Sequence, residues 1–240
     1  MTTADDWAKN VERWTATTTG KYGDGNYYLR LTKNGTPDAG ERIELNNNAG
    51  IFQENEIVDA GFLELVRLGI KSPNDPLIVK SLKIVDEVLR VTTPNGEGFY
   101  RYNHDGYGEM ADGKPWNWDL KYTGKGHLWA LLSGERGQYE LALSNVTEKN
   151  FTLDGCCMLR DVARSRLDAM QNFANDGLMI PEQIWDKPAT NKNLKFGEGA
   201  GSATPLAWSM AQFIRLVMNL QKGKNLDTPE VVARRYGNLK

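Results

Sequence analysis

Four residues able to do chemistry stand close together in the run Pro181-Glu182-Gln183-Ile184-Trp185-Asp186. They are a carboxylate, an amide, an indole and a second carboxylate. Pro181 and Pro188 keep this stretch from continuing a helix on either side. A carboxylate held still beside an aromatic ring is placed to act as a general base. The stretch therefore marks Glu182 as the base of a sugar-cleaving site. The competing reading is a solvated turn anchored by one tryptophan, since most loop carboxylates are merely hydrated.

A second group is Arg101-Tyr102-Asn103-His104-Asp105-Gly106-Tyr107, followed by Gly113-Lys114-Pro115-Trp116. Sugar hydroxyls take short, charge-assisted hydrogen bonds, which Arg101 and Asp105 can supply. Tyr107, Trp116 and Trp185 can supply a stacking surface. Arg101 and Asp105 are four residues apart, so they could equally satisfy one another as an ion pair. Glycoside hydrolysis generally needs two carboxyl groups facing each other across the sugar. Glu182 and Asp186 share one loop and do not meet that need, so a partner must come from elsewhere. His104 and His127 lack a third ligand at metal spacing. Gly23-Asp24-Gly25-Asn26 lacks the remaining carboxylates of a calcium loop. No metal and no cofactor is expected.

These residues must be positioned by helices. Trp7, Val11 and Trp14 mark a helix over 4–18, and Phe62, Leu65 and Val66 a short one ending at Gly69. Asp75-Pro76 caps and starts another, with Ile78, Leu82, Val85 and Leu89 on one face to about Arg90. Tyr27 to Leu31 reads as a short strand, with a tight turn at Asn34-Gly35. Residues 92–126 lack helical period and hold Tyr100, Tyr102, Tyr107, Trp116, Trp118 and Tyr122; so long a loop is usually functional. A short helix follows Ser133–Tyr139. From Thr152, Leu159, Val162, Leu167, Met170 and Phe173 line a long helix. After Thr204-Pro205, the residues Leu206, Met210, Phe213, Ile214 and Val217 face inward on another. A last helix covers 228–235. Six or seven paired helices with no strand–helix alternation exclude a parallel sheet. Residues 1–240 are read as a single unit.

Composition narrows the function classes. There are 29 basic and 31 acidic residues, which leaves no basic field for nucleic acid. No apolar run approaches a membrane span. The start, Met1 to Trp7, has neither the cationic nor the apolar part of a signal peptide. Cys156 and Cys157 are adjacent and read as small buried groups rather than a disulfide. Arg164-Ser165-Arg166 and Arg234-Arg235 read as solvated helix faces.

Six stretches in order resemble glycoside hydrolase family 15, the bacterial glucoamylases and glucodextranases: 7–17, 62–71, 101–107, 133–139, 181–186 and 203–208. The resemblance covers nearly the whole chain. It implies part, about half, of an all-α (α/α)6 barrel and an inverting exo-hydrolase that releases glucose from non-reducing ends of α-glucans. It assigns the general base to Glu182 and sugar binding to Arg101 and Asp105. Gly113-Lys114-Pro115-Trp116 is similar to the family's Gly-Asn-Pro-Trp turn, which places Trp116 on the same wall. The family's catalytic acid lies in a Trp-Glu-type motif that this sequence does not carry. Glu54, Glu56, Glu109 and Glu135 lack that context and are read as structural or solvated. The resemblance also implies a secreted parent enzyme. A half barrel exposes apolar faces, so pairing with an N-terminal half or self-association is expected. The alternative reading is a truncated homologue without turnover that only binds α-glucan.

Overall fold

The computed structural model describes residues 2–47, 49–116, 126–148, 153–188 and 193–237. Trp118 and Tyr122 fall outside these residues, as do the side chains of Cys156 and Cys157.

Helix α1 (Thr2–Thr15) leads into β1 (Ala16–Thr17), which pairs antiparallel with β2 (Tyr27–Tyr28). Trp7 remains exposed, and no residue of α1 is fully buried. A hairpin of β3 (Arg42–Leu45) and β4 (Gly50–Gln53) follows, then a 3₁₀ turn at Glu54–Glu56. Helices α2 (Leu63–Arg67) and α3 (Pro76–Val88) come next. The Asp75 carboxylate accepts hydrogen bonds from the backbone N–H groups of Leu77 and Ile78, and Pro76 opens α3. Ile78, Leu82 and Val85 of α3 then meet Tyr28, Phe62, Leu63 and Val66 in one apolar core.

The segment read as structureless begins with a strand pair. Strands β5 (Arg90–Thr93) and β6 (Gly96–Tyr100) form a hairpin about Pro94-Asn95. They join β7 (Leu128–Trp129) and β8 (Gln183–Ile184) in a four-stranded antiparallel sheet of that order. Two glycines in β6 hide the alternation on which a strand would be recognised. What holds β6 is tertiary: Leu128 packs closely on Gly98. Leu128 and Ile184 join Ala169, Phe173 and Ile180 in a second core.

The second half is helical. Helices α4 (Ala130–Glu148) and α5 (Leu153–Asn172) pack along one another, α6 (Ala207–Lys222) packs on both, and α7 (Glu230–Tyr236) closes the described chain. Seven α-helices are therefore present among the described residues. None of them is long and apolar enough to cross a membrane.

Two expectations about helix faces change. Arg166 is not solvated. It is buried, bonded to Glu140 and Glu97, while Arg136 bridges Glu140 and Asp86. A buried arginine is tolerated because each guanidinium faces carboxylates. Ile214 does not face inward. The buried stripe of α6 is Ser209, Gln212, Leu216 and Asn219, whereas Trp208, Ile214 and Met218 lie exposed. Polar atoms on the buried stripe are satisfied, Gln212 by Gln138 and Ser209 by the Pro181 carbonyl, at 3.0 Å each.

Candidate active site

The Pro181–Asp186 stretch is not a free loop: its centre, Gln183–Ile184, forms the short strand β8. β8 pairs with β7 in the register Leu128↔Ile184 and Trp129↔Gln183. On its other side the backbone is laced to residues 197–203. Glu182 N–H donates to Ala203, Ala200 N–H to Gln183, and Trp185 N–H to Glu198, at 2.8–2.9 Å. A backbone bonded on both sides cannot swing, so the Glu182 side chain leaves from a fixed point.

Tyr107 reaches this point from the other segment. Its hydroxyl donates to Glu182 Oε2 at 3.2 Å. Burial raises the Tyr107 phenol above its ordinary pKa, with the Glu182 charge adding to the effect. The Tyr107 ring meets Trp116 edge-on at 5.7 Å and lies 6.1 Å from Trp129.

Arg101 and Asp105 do form the ion pair that their spacing allowed. Nε and Nη2 of Arg101 bind the two Asp105 oxygens at 2.8 and 2.9 Å. Asp105 is fully buried, and it also accepts the Tyr107 backbone N–H at 3.1 Å. Gly126, at φ +65°, lies against this side chain, where a Cβ would come within 3.1 Å of Asp105 Cβ, Cγ and Oδ2. Asp105 therefore orients Arg101 rather than offering its own oxygens to a ligand. The guanidinium lies 4.8 Å from the Trp129 ring and 5.6 Å from that of Tyr107, and a third of the side chain stays exposed.

Trp185 needs a correction. Its side chain has no exposed surface, so it cannot stack on a sugar in this arrangement. It packs 4.7 Å from the His127 ring and supports the site from beneath.

His127, set aside as a metal ligand, sits between two carboxylates. Its Nδ1 is 2.8 Å from Asp186 Oδ1, and its Nε2 is 3.3 Å from Glu109 Oε2. Burial alone would raise the Asp186 carboxyl, but hydrogen bonds from His127 and Tyr100 outweigh it and hold the group below its ordinary pKa. Asp186 is thus a buried anchor. His104 is elsewhere, stacked on Phe52 at 3.9 Å.

A cavity of about 550 Å³ is lined by Tyr107, Glu109, Trp116, Gln183, Leu194 and residues 199–202, among others; Glu182, Arg101 and Asp105 are not among its lining residues. Glu109 and Gln183 were missed as site residues. Only the crowding of aromatic residues around them in sequence hinted at their place.

The family model described as Glycosyl hydrolases family 15 matches residues 1–218. The chain belongs to this family. It is 40% identical over 233 residues to a glucoamylase of Clostridium sp. (strain G0005), a match covering 97% of this chain and 29% of that protein. A crystal structure of a bacterial glucoamylase complexed with acarbose superposes with a TM-score of 0.83 at 40% identity, covering 97% of this chain and 30% of that one. A structure named as a wild-type glycosidase matches in fold, with a TM-score of 0.50 at 17% identity over 95% of this chain and 44% of its own. The family 15 chain described here thus spans less than a third of the glucoamylases it resembles. Its paired helices match the glucoamylase (α/α)6 barrel.

Proposed function

We propose that this chain carries the water-activating part of an inverting exo-hydrolase that releases glucose from α-glucans. Glu182 takes a proton from water, and the water oxygen bonds to the anomeric carbon. The glycosidic bond breaks on the opposite face, and its oxygen takes a proton from an acid supplied by another segment of the barrel. Arg101, held by Asp105, and the rings of Tyr107 and Trp116 receive the terminal sugar. The observation carrying this reading is the 3.2 Å contact from Tyr107 to Glu182, which joins the carboxylate to the wall that Arg101 also touches. The acarbose-bound relative supports an oligosaccharide ligand.

The test is release of β-glucose from maltotriose, followed by NMR of the fresh product. The isolated chain is expected to turn over little, because acid or base assistance each contributes about 10²–10⁴-fold. Supplied with the remainder of its barrel, it is expected to release the β-anomer, and Glu182→Gln to abolish release. Persistent release by Glu182→Gln would overturn the assignment. Glucan binding without any hydrolysis in the assembled barrel would mark the chain as a binding homologue instead.

A further inference from the structure

Asn103 and His104 make a turn, and the Arg101–Asp105 ion pair closes across it. The second of these residues is strained. His104 has φ +61°, in the left-handed region that side chains disfavour. Such a conformation persists only where its surroundings hold it. This turn is held on several sides. Tyr102, at its start, forms a β-bridge with Asp59. The His104 ring stacks on Phe52 at 3.9 Å. Gly106, at its end, is seated on the β3–β4 turn, where an added Cβ would lie 2.8 Å from the Asn47 carbonyl oxygen.

Asn103 supplies the directional part of this hold. Its Oδ1 accepts the Val58 N–H at 2.8 Å. Its Nδ2 donates to the Glu56 carbonyl at 2.7 Å and to the Tyr22 hydroxyl at 3.1 Å. Both amide hydrogens and the amide oxygen are therefore used. The stretch that it grips is firm, because Ile57 and Val58 are buried in two different cores. Arg101 takes its orientation from Asp105, and Asp105 takes its place from the turn. Tyr107, which donates to Glu182, follows the same turn through its N–H to Asp105.

We propose that Asn103 is a positioning residue of the sugar cleft: by pinning the turn to residues 56–58 it sets where the Arg101 guanidinium is presented. The inference rests on the sugar-binding role proposed for Arg101 above. It adds that this role is set by a side chain acting through the backbone rather than by touching the ligand.

The test uses the full chain and two variants. Asn103→Asp keeps the shape and the acceptor for Val58, but it sets a carboxylate oxygen against the Glu56 carbonyl in place of a donor. Asn103→Ser shortens the side chain without adding charge and covers the case of an Asp variant that does not fold. Hydrogen exchange of the Tyr107 N–H and the Arg101 Nε–H, both bonded to Asp105, reads the turn without any sugar. Exchange at both is expected to quicken at least about tenfold in the variants, while core amides stay protected. Acarbose binding, followed by tryptophan fluorescence, is expected to weaken about tenfold, the scale of one misaligned charged hydrogen bond. Adding Asn103→Ser to Arg101→Lys is expected to cost little further, since no aligned fork remains to be displaced. Unchanged exchange at both groups overturns this inference alone. So does an affinity loss as large in the Arg101→Lys background as in the wild type, which marks Asn103 as merely structural. Acarbose binding that the wild type lacks, or that Arg101→Lys leaves unchanged, overturns the inference together with the role of Arg101 on which it rests.

Discussion

Tyr107 donates a 3.2 Å hydrogen bond to Glu182, across 75 residues of sequence. The contact fixes one oxygen of the carboxylate. It also makes the carboxylate's orientation depend on the aromatic loop, because Tyr107 is anchored through its backbone N–H to Asp105. For the base role proposed for Glu182, orientation to within a fraction of an ångström would be worth orders of magnitude in rate, because the attacking water must be in line.

Tyr107→Phe removes the donor and keeps the ring. Acarbose affinity is expected to fall by a few fold, and the urea midpoint to stay close to that of the wild type. The hydrogen bond is half-exposed, so its net contribution is about 1 kcal/mol. Unchanged affinity would show that the phenol does not orient the site.

Arg101→Lys breaks the two-pronged contact with Asp105. A lysine cannot bind both oxygens of a fully buried carboxylate in the planar geometry seen here. The change is expected to cost about 2 kcal/mol of stability, below the cost of leaving a wholly buried charge unpaired because Arg101 is partly exposed. Sugar binding should weaken with it. Urea unfolding measures the first effect. A variant as stable as the wild type would mean that Asp105 finds another partner.

Glu135 makes stability depend on pH. Burial pushes its carboxyl up to about 7, and nearby Glu64 adds to the rise while Arg67 and Arg215 oppose it. Between its ordinary value of 4.5 and about 7 the folded protein holds a proton that the unfolded chain has released. Stability contributed by this group is therefore full below pH 4.5, falls as pH rises through 7, and is flat above. The fall should amount to about 1–3 kcal/mol, the lower part of the range allowing for partial exposure. Glu135→Gln should remove it. Urea midpoints at pH 5 and pH 8 decide the matter, and an equal fall in both proteins would exonerate Glu135.

The exposed face of α6 should associate. Ile214 and Met218 are one turn apart and both lie in solvent, as do Met158 and Val162 on α5. We propose that these residues meet the rest of the barrel or, in its absence, a second copy. Sedimentation of the isolated chain should depend on concentration. Ile214→Lys with Met218→Lys should disperse it and leave the unfolding midpoint nearly unchanged, since neither side chain is buried in this chain. A wild-type chain that sediments as a monomer at all concentrations would count against the proposal.

The sequence alone determined the order of most helices, because helical period is set by neighbours three and four residues apart, but it read a short helix after Tyr139 where the long α4 runs Ala130–Glu148 and takes in Ser133–Tyr139 itself. It located α3 to within two residues through Asp75-Pro76 and the Ile78–Val85 stripe, and it placed Glu182 and Arg101 in the segments that meet. Tertiary structure decided the rest. Trp185 was legible as an aromatic in the right place, but whether it stacks on a ligand or lies beneath the floor depends on His127, 58 positions away. The strands β5–β8 were hidden because three of their pairings join distant or glycine-bearing segments whose own period is too short to read. Arg166 looked solvated because its carboxylate partners, Glu97 and Glu140, come from other elements. The apolar side of α6 looked like its inner side because most helices bury what water rejects. Here the hydrogen bonds that Gln212 donates to Gln138 of α4 and Ser209 to the Pro181 carbonyl made the polar stripe the better fit. Local pattern reports what a segment prefers; only packing reports which partner it meets.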